Sequence, residues 1–464
     1  MKKIISVFVF LLFFFTLSSI TAHASTFNPN FIISDEEVLD YTSMDLEDIK
    51  EFLANKNSYL LNYACTDADG KIWIAPEVIY DRAIANKVNP KFLLVLLQKE
   101  QSLIEEESPT QRQLDWATGY GCPDGGSCNP RWQGLWKQVN SASLQFRDYM
   151  DNPQLYTYRS GNTYTFTNPY GTISNELMTV TPANQATAAL YNYTPHVYNG
   201  NYNFFKIWQR YFTKNYPNGS LLQAYDEPGV WLIQDNKKRP FETRGALTTR
   251  FNADRIIQVN RSDLDKYETG ASIKFPQYSL VRSPRGTIFL LVDDKKRGFA
   301  SSEAFRLMGF NPEEVLDASW EDINTYSDGI PITATSTYPT GALLQNNQTG
   351  GVYWVMEGEK SPILDKVFLT TKFKNKKIVP VSPDELEKYV TIDPVSFEDG
   401  ELLKSSSHPA VYVIADGKKH PIISGKIFEQ LGYAWNNVIE VPSKVLYLYD
   451  IGESISEANI TDEN

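Results

Sequence analysis

The sequence predicts a multidomain chain: a mainly helical N-terminal domain followed by four β-rich (α+β) repeats of about 60 residues each. Three observations predict it. The 464 residues exceed what one hydrophobic core usually organises. Helix start signals crowd the first half. In the second half, VWLIQDNKKRPF, IFLLVDDKKRGF, VYWVMEGEKSPI and VYVIADGKKHPI begin at residues 230, 288, 352 and 411, steps of 58, 64 and 59.

Taken in chain order, Lys2 and Lys3 precede an apolar run from Ile4 to Ile20, and Ala22-His23-Ala24 supplies a small-x-small cleavage pattern. Residues 1–24 read as a signal peptide, so the mature protein is expected to be secreted, extracellular and associated with a bacterial cell envelope. Contact with membrane is expected only if that segment stays uncleaved, since 17 apolar residues just span a bilayer. The formal charge is −12, and −14 once Lys2 and Lys3 are gone, which argues against nucleic acid. His196 is the sole histidine between the signal and residue 408, too few for the usual zinc-ligand set, so no metal and no cofactor is expected.

The N-terminal domain should run over 25–216. TSMDLEDIKEFLANK predicts a helix with Thr42 as its cap, APEVIYDRAIANKV one with Pro76 in its first turn, NPKFLLVLLQKEQSLI one starting on Asn89 and Pro90, and TPANQATAALYNY one opening with Thr181 and Pro182. LYTYRSGNTYTFT (155–167) reads as a Tyr-rich hairpin turning at Ser160 to Asn162. CPDGGSC brings its ends together, so a Cys122 to Cys128 disulfide is the first choice, with Cys65 as the alternative partner. The repeats are placed at 217–273, 274–332, 333–395 and 396–455, with an acidic tail at 456–464. Each is strand, tight turn, strand, then a short helix. Their shared basic residues, a Lys-Lys pair in three copies and Glu359-Lys360 in the third, read as a solvated hairpin rim or as a face for acidic wall polymer.

The best chemical candidate is Glu100. In the helix from Pro90, Leu93, Leu96, Leu97, Glu100, Leu103 and Ile104 share a face, so its carboxylate lies one turn past a segment apolar all round. Desolvation there would raise its pKa and keep it protonated, as a general acid requires. The plain alternative is an ion pair, for instance with Arg112. Glu105, Glu106 and Glu107 splay around the helix end and read as solvated.

LLQKEQS, ATGYG (117–121) and ALYNYTP (189–195), in this order, resemble the goose-type lysozyme and soluble lytic transglycosylase superfamily. They are closer still to secreted bacterial wall-associated proteins with LLQKEQ, ATGYGCPD and NQATAALYNYTP. The resemblance covers about residues 27–213 and implies a lysozyme-like domain that cleaves the β-1,4 bond between N-acetylmuramic acid and N-acetylglucosamine. It implies Glu100 as the acid, Thr118, Gly119 and Tyr120 as the loop lining the saccharide cleft, Tyr191 near Glu100, and Asn192 on a sugar substituent. The sequence departs from the pattern at Gln101, in the missing Leu-Met-Gln of the loop, and at Tyr193-Thr194. A glycosidase needs two carboxylates, and Asp115 and Asp124 are the candidates; a lytic transglycosylase needs one, because the sugar's own hydroxyl closes an anhydro ring. Trp132, Trp136, Tyr156, Tyr158, Tyr164 and Tyr193 are candidate sugar-stacking residues, with Trp136 more readily a core residue. The expected partner is peptidoglycan, with a wall polymer on the repeats. The rival readings are a non-catalytic glycan-binding protein, and a wall peptidase using Cys122 or Cys65 with His196.

Overall fold

The computed structural model describes residues 27–123, 125–170 and 173–456; the signal segment, Asp124 and the end of the acidic tail lie outside them. A helical N-terminal domain precedes four β-rich modules. Its helices are α1 (Asp35–Leu39), α2 (Leu46–Asn55), α3 (Ala75–Asn86), α4 (Pro90–Gln101), α5 (Gln111–Asp115), α6 (Leu135–Asp151), α7 (Gln185–Tyr193) and α8 (Asn203–Phe212). Helix α4 is central: Phe92 to Leu97 are all buried, and Phe92 packs on Phe146 of α6 and Phe204 of α8. Asn89 starts it by accepting the Lys91 N–H, with Pro90 in the first turn, where a missing N–H costs nothing.

Three local expectations are corrected. The cap of α2 is Asp45, not Thr42: Asp45 and Asp48 each accept the other's backbone N–H, at 2.9 and 3.0 Å. Helix α7 starts three residues after Thr181-Pro182, because Asn184 accepts the Thr187 N–H. The hairpin over 155–167 does not form. The Asn192 side chain binds both the N–H and the C=O of Tyr158, tying that segment to α7. Strand Tyr164–Tyr170 pairs instead with Ile173–Val180, in the register Tyr164↔Val180.

Each module is a three-stranded antiparallel meander flanked by a parallel strand on either edge. In the first, Leu221–Ala224, Trp231–Gln234 and Lys237–Pro240 form the meander, with Ile256–Val259 and Glu268–Thr269 at its edges. The other meanders are Leu280–Arg282, Ile288–Val292 and Lys295–Gly298; Ala342–Asn346, Val352–Met356 and Glu359–Pro362; and Leu402–Ser405, Val411–Ala415 and Lys418–Ile422. Asp235-Asn236, Glu357-Gly358 and Asp416-Gly417 hold positive φ at both central turn positions, the backbone that matches strand twist.

The second basic residue of each hairpin is not a solvated rim. Lys296, Lys360 and Lys419 donate to Tyr326 O (2.8 Å), Leu386 O (2.6 Å) and Leu446 O (2.7 Å), carbonyls in or just after a short helix of the same module. Lys238 reaches Asp265 at 2.8 Å, at the end of Arg261–Asp265. An ammonium at a helix C-terminus satisfies carbonyls that lack an intrahelical donor. Only the first residue of each pair, Lys237, Lys295, Glu359 and Lys418, faces solvent.

The modules close on one another. Arg239 of the first pairs with Asp294 of the second (2.9 Å), Arg297 with Glu357 of the third (3.2 Å), and Lys372 with Glu398 of the fourth (2.8 Å). The circuit ends where Arg255 of the first module meets Glu401 of the fourth at 2.8 Å, over a core shared by Leu222 and Val259 with Leu402 and Phe428. At this seam Gly219 and Gly400 touch: a Cβ on Gly400 would lie 2.1 Å from Gly219 O. The residue two before the first inward leucine has positive φ in every module. It is Gly219, Gly341 and Gly400 in three of them and Tyr278 (φ 66°) in the second.

The first module also docks on the helical domain. Ser262 donates to the carboxyl of Glu37 and accepts from Trp208 Nε1 at 3.2 Å, and Asp263 accepts the Lys214 N–H at 2.7 Å. Among the described residues no helix is long and apolar enough to cross a membrane.

Candidate functional site

Glu100 sits in the last turn of α4, where the buried segment reaches a surface; its side chain is 22% exposed. Ser102 then adopts a left-handed conformation (φ 59°) and ends the helix. Facing Glu100 is the loop 118–121. Gly119 has φ +72°, and a Cβ there would stand 3.4 Å from Glu100 Oε2, so the loop backbone lies directly against the carboxylate.

The loop is pinned by a residue that the sequence reading passed over. Gln138, fully buried on α6, accepts the N–H groups of Thr118 (3.2 Å) and Tyr120 (3.1 Å) and donates to the carbonyls of Tyr120 (2.9 Å) and Trp132 (2.8 Å). Its signal was a glutamine among Leu135, Val139, Ala142 and Phe146 on the inward face of α6. Thr118 is itself buried and gives its hydroxyl to Gln138, so it holds the loop and does not face the site. Tyr120 packs edge-on against Trp132, ring centres 5.3 Å apart, and Gly121 leaves room for the indole.

The basic partner of Glu100 is Lys99, not Arg112. The Lys99 side chain is 5% exposed, and its ammonium donates to Glu100 Oε1 at 2.6 Å and to Thr194 Oγ1 at 2.7 Å. The apolar setting on which a protonated Glu100 was argued is therefore replaced by an ion pair. The aromatic neighbour is Tyr193: its hydroxyl donates to Thr118 O at 2.7 Å, and burial, then the Glu100 charge, push its phenol well above the usual tyrosine range.

Two residues expected at the site are structural. Tyr191 is buried, stacks on Phe166 at 4.6 Å and donates to Pro29 O at 3.0 Å, because two steps along α7 turn it away from Tyr193 into the core. Asn192 spends its amide on Tyr158 and Ala188 O, leaving no group for a sugar. Tyr156 gives its hydroxyl to Asp148, Tyr158 packs on Tyr164 and Phe166, and Trp136 lies under the Arg82 guanidinium. Asp115 is held by the side chains of Gln111 (3.0 Å) and Gln133 (2.8 Å). Asp124 lies outside the described residues.

Cys122 and Cys128 are disulfide-bonded, which removes Cys122 as a nucleophile. Burial pushes the Cys65 thiol up to about 11, so it stays protonated at neutral pH.

With this geometry in view, the chain can be set beside known proteins. Residues 31–224 match the family model for the LasA N-terminal domain. That stretch spans the helical domain and the first strand of the first module. No curated protein matches the chain. Among solved structures, a chain of the periplasmic assembly from the ESX-5 inner membrane complex is 10% identical, covering 53% of this chain and 94% of that one, with a TM-score of 0.13. The EccB3 dimer from the ESX-3 core complex is 11% identical, covering 52% and 99%, with a TM-score of 0.14. Likenesses at these scores carry no inference about fold.

Proposed function

We propose that the N-terminal domain is a lysozyme-like, secreted peptidoglycan glycosidase, a lytic transglycosylase or muramidase in which Glu100 is the proton-transferring group. The observation that carries the reading is the pairing of Glu100 with the left-handed backbone at Gly119. A half-buried carboxylate closes a buried helix and lies against a pinned loop that presents an aromatic pair, Tyr120 and Trp132. A sugar ring stacked on that pair would bring its glycosidic oxygen to the carboxyl and exclude water there. Glu100, taking up a proton as the ion pair with Lys99 opens on substrate binding, would give it to the leaving oxygen and recover one from the muramoyl hydroxyl that closes the anhydro ring. Lys99 would steady the carboxylate between the two transfers. Of the two carboxylates weighed for the two-carboxylate route, the described one, Asp115, is held by two glutamines. The modules would hold the domain to the envelope.

A second reading, a glycan-binding domain without catalysis, is favoured by the Lys99 to Glu100 ion pair. Peptidoglycan digested with the full chain and with Glu100→Gln separates the two. The enzyme reading expects anhydro-muramic ends by mass spectrometry, falling at least about 100-fold in the variant. Reducing ends would indicate hydrolysis and place the second carboxylate elsewhere. Equal release by both proteins refutes Glu100, and wall binding without release by either establishes the binding domain.

A further inference from the structure

The four modules line a half-open cavity of about 1040 Å³ to which every module contributes wall. Its charged lining is formally balanced, with Arg250, Arg255, Lys372, Lys374 and Lys376 against Asp293, Asp294, Glu398, Asp399 and Glu401, in a chain of net charge −12. The two signs are not equally available. Glu401, Glu398 and Asp294 are taken by the ion pairs that join module to module. Asp293 and Asp399 accept only from neutral donors, the Gln277 amide and the Gly417 N–H, and keep their charge, while Arg255 and Lys372 are the paired cations, which leaves three unpaired cations against two unpaired carboxylates. Among the cations, Arg250, Lys374 and Lys376 have no carboxylate partner among the described residues. The guanidinium of Arg250 donates to Gln277 Oε1 at 2.8 Å and Asp293 O at 3.1 Å, while its buried Nε has no acceptor there.

Lys376 carries the argument furthest. Its ammonium stands 5.0 Å from the ring centre of Trp354 and 5.6 Å from that of Tyr278. Trp354 is backed by Phe373, stacked at 4.7 Å. Aromatic faces orient a cation without neutralising it, so the charge stays available to a ligand. Burial also holds the Lys376 ammonium below the usual lysine range, as expected of a cation lacking a counter-charge. Tyr278 is the independent observation. It occupies, at φ 66°, the left-handed position that glycine fills in the other three modules. A bulky side chain kept where glycine is the easy choice points to a use for the ring.

We propose that this cavity binds an anionic saccharide, whose phosphate or carboxylate meets Lys376 and Arg250 and whose sugar ring lies against Tyr278. The proposal stands whether or not Glu100 is catalytic. Titration calorimetry of the full chain with glucose 1-phosphate, glucuronate and glucose tests it. Saturable binding of either anion, at least about tenfold tighter than glucose and weakening with salt, is expected. The anion that binds identifies the source, phosphorylated polymer or uronic acid. Lys376→Gln should lose about tenfold in affinity, and Tyr278→Gly, which restores the residue type of the other modules, should lose affinity with its circular dichroism unchanged. Glu100→Gln should bind as the wild type does, so a failure of the glycosidase reading leaves this result standing. Absence of saturable binding by both anions, equal binding of glucose, or wild-type affinity in Lys376→Gln would overturn it.

Discussion

Glu37→Gln should flatten, without abolishing, the pH dependence of the dock between the helical domain and the first module between about 4 and 8. Glu37 is buried at 2% exposure, where it accepts the Ser34 N–H at 2.9 Å and the hydroxyl of Ser262 from the neighbouring module. Burial lifts its carboxyl from 4.5 to about 7, against the pull of those donors. A carboxyl whose pKa is raised by folding favours the folded state while protonated. Its contribution is therefore complete below about 4.5 and is lost as pH rises through about 7. Moving from 4.5 to about 7 corresponds to about 3 kcal/mol of stability removed at alkaline pH, undiscounted because solvent does not reach the group. Asp263, also raised by burial, adds in the same direction, while Lys91, lowered by burial, works in the opposite one. Glutamine keeps the shape and stays neutral, so the difference between the two proteins isolates Glu37. Urea unfolding at pH 4 and pH 8, with amide exchange read over 35–39 and 261–265, should show the variant more stable at pH 8 by up to about 3 kcal/mol and little changed at pH 4. Equal pH slopes in the two proteins, or a variant weaker at pH 8, would refute the reasoning.

Two further outcomes follow from the modules. Lys419→Met leaves Leu446 O and Tyr449 O without their donor and should cost about 1–3 kcal/mol by thermal melting, whereas Lys418→Met, beside it and exposed, should stay within about 0.5 kcal/mol. Gly400→Ala places a Cβ 2.1 Å from Gly219 O at a φ of +82°. It should cost about 3 kcal/mol or more and speed amide exchange over 221–224 and 402–405, with an unchanged melt telling against the seam.

Much of this was legible in the sequence, and the reasons differ from element to element. The helix from Pro90 was readable because Asn89, Pro90 and the leucine spacing agree. The modules were readable because four copies vote on one pattern. The start of α2 was misread because Thr42 and Asp45 are both good caps, and only the reciprocal bond with Asp48 chooses between them. Tyr191 and Tyr193 were indistinguishable in ALYNYTP, since two residues along a helix differ by more than half a turn and the loop of Gln138 decides which side faces Glu100. The lysine pairs misled because their charge argues for solvent, whereas the helix end that receives each second lysine lies about 30 residues downstream in the three later modules. Closure of the array was invisible, as it depends on contacts such as Arg255 to Glu401 that no local pattern encodes.

The glycine contact at the seam has an evolutionary corollary. An open stack of modules grows or shrinks by unequal crossing-over, one copy at a time, because each new unit meets only its neighbours. Here the first copy already rests on the last through Gly219 and Gly400, with no room for even one carbon between them. A fifth copy would have to part that contact before it could be seated. Divergence is left to substitution within each copy, as Tyr278 standing alone among three glycines already records.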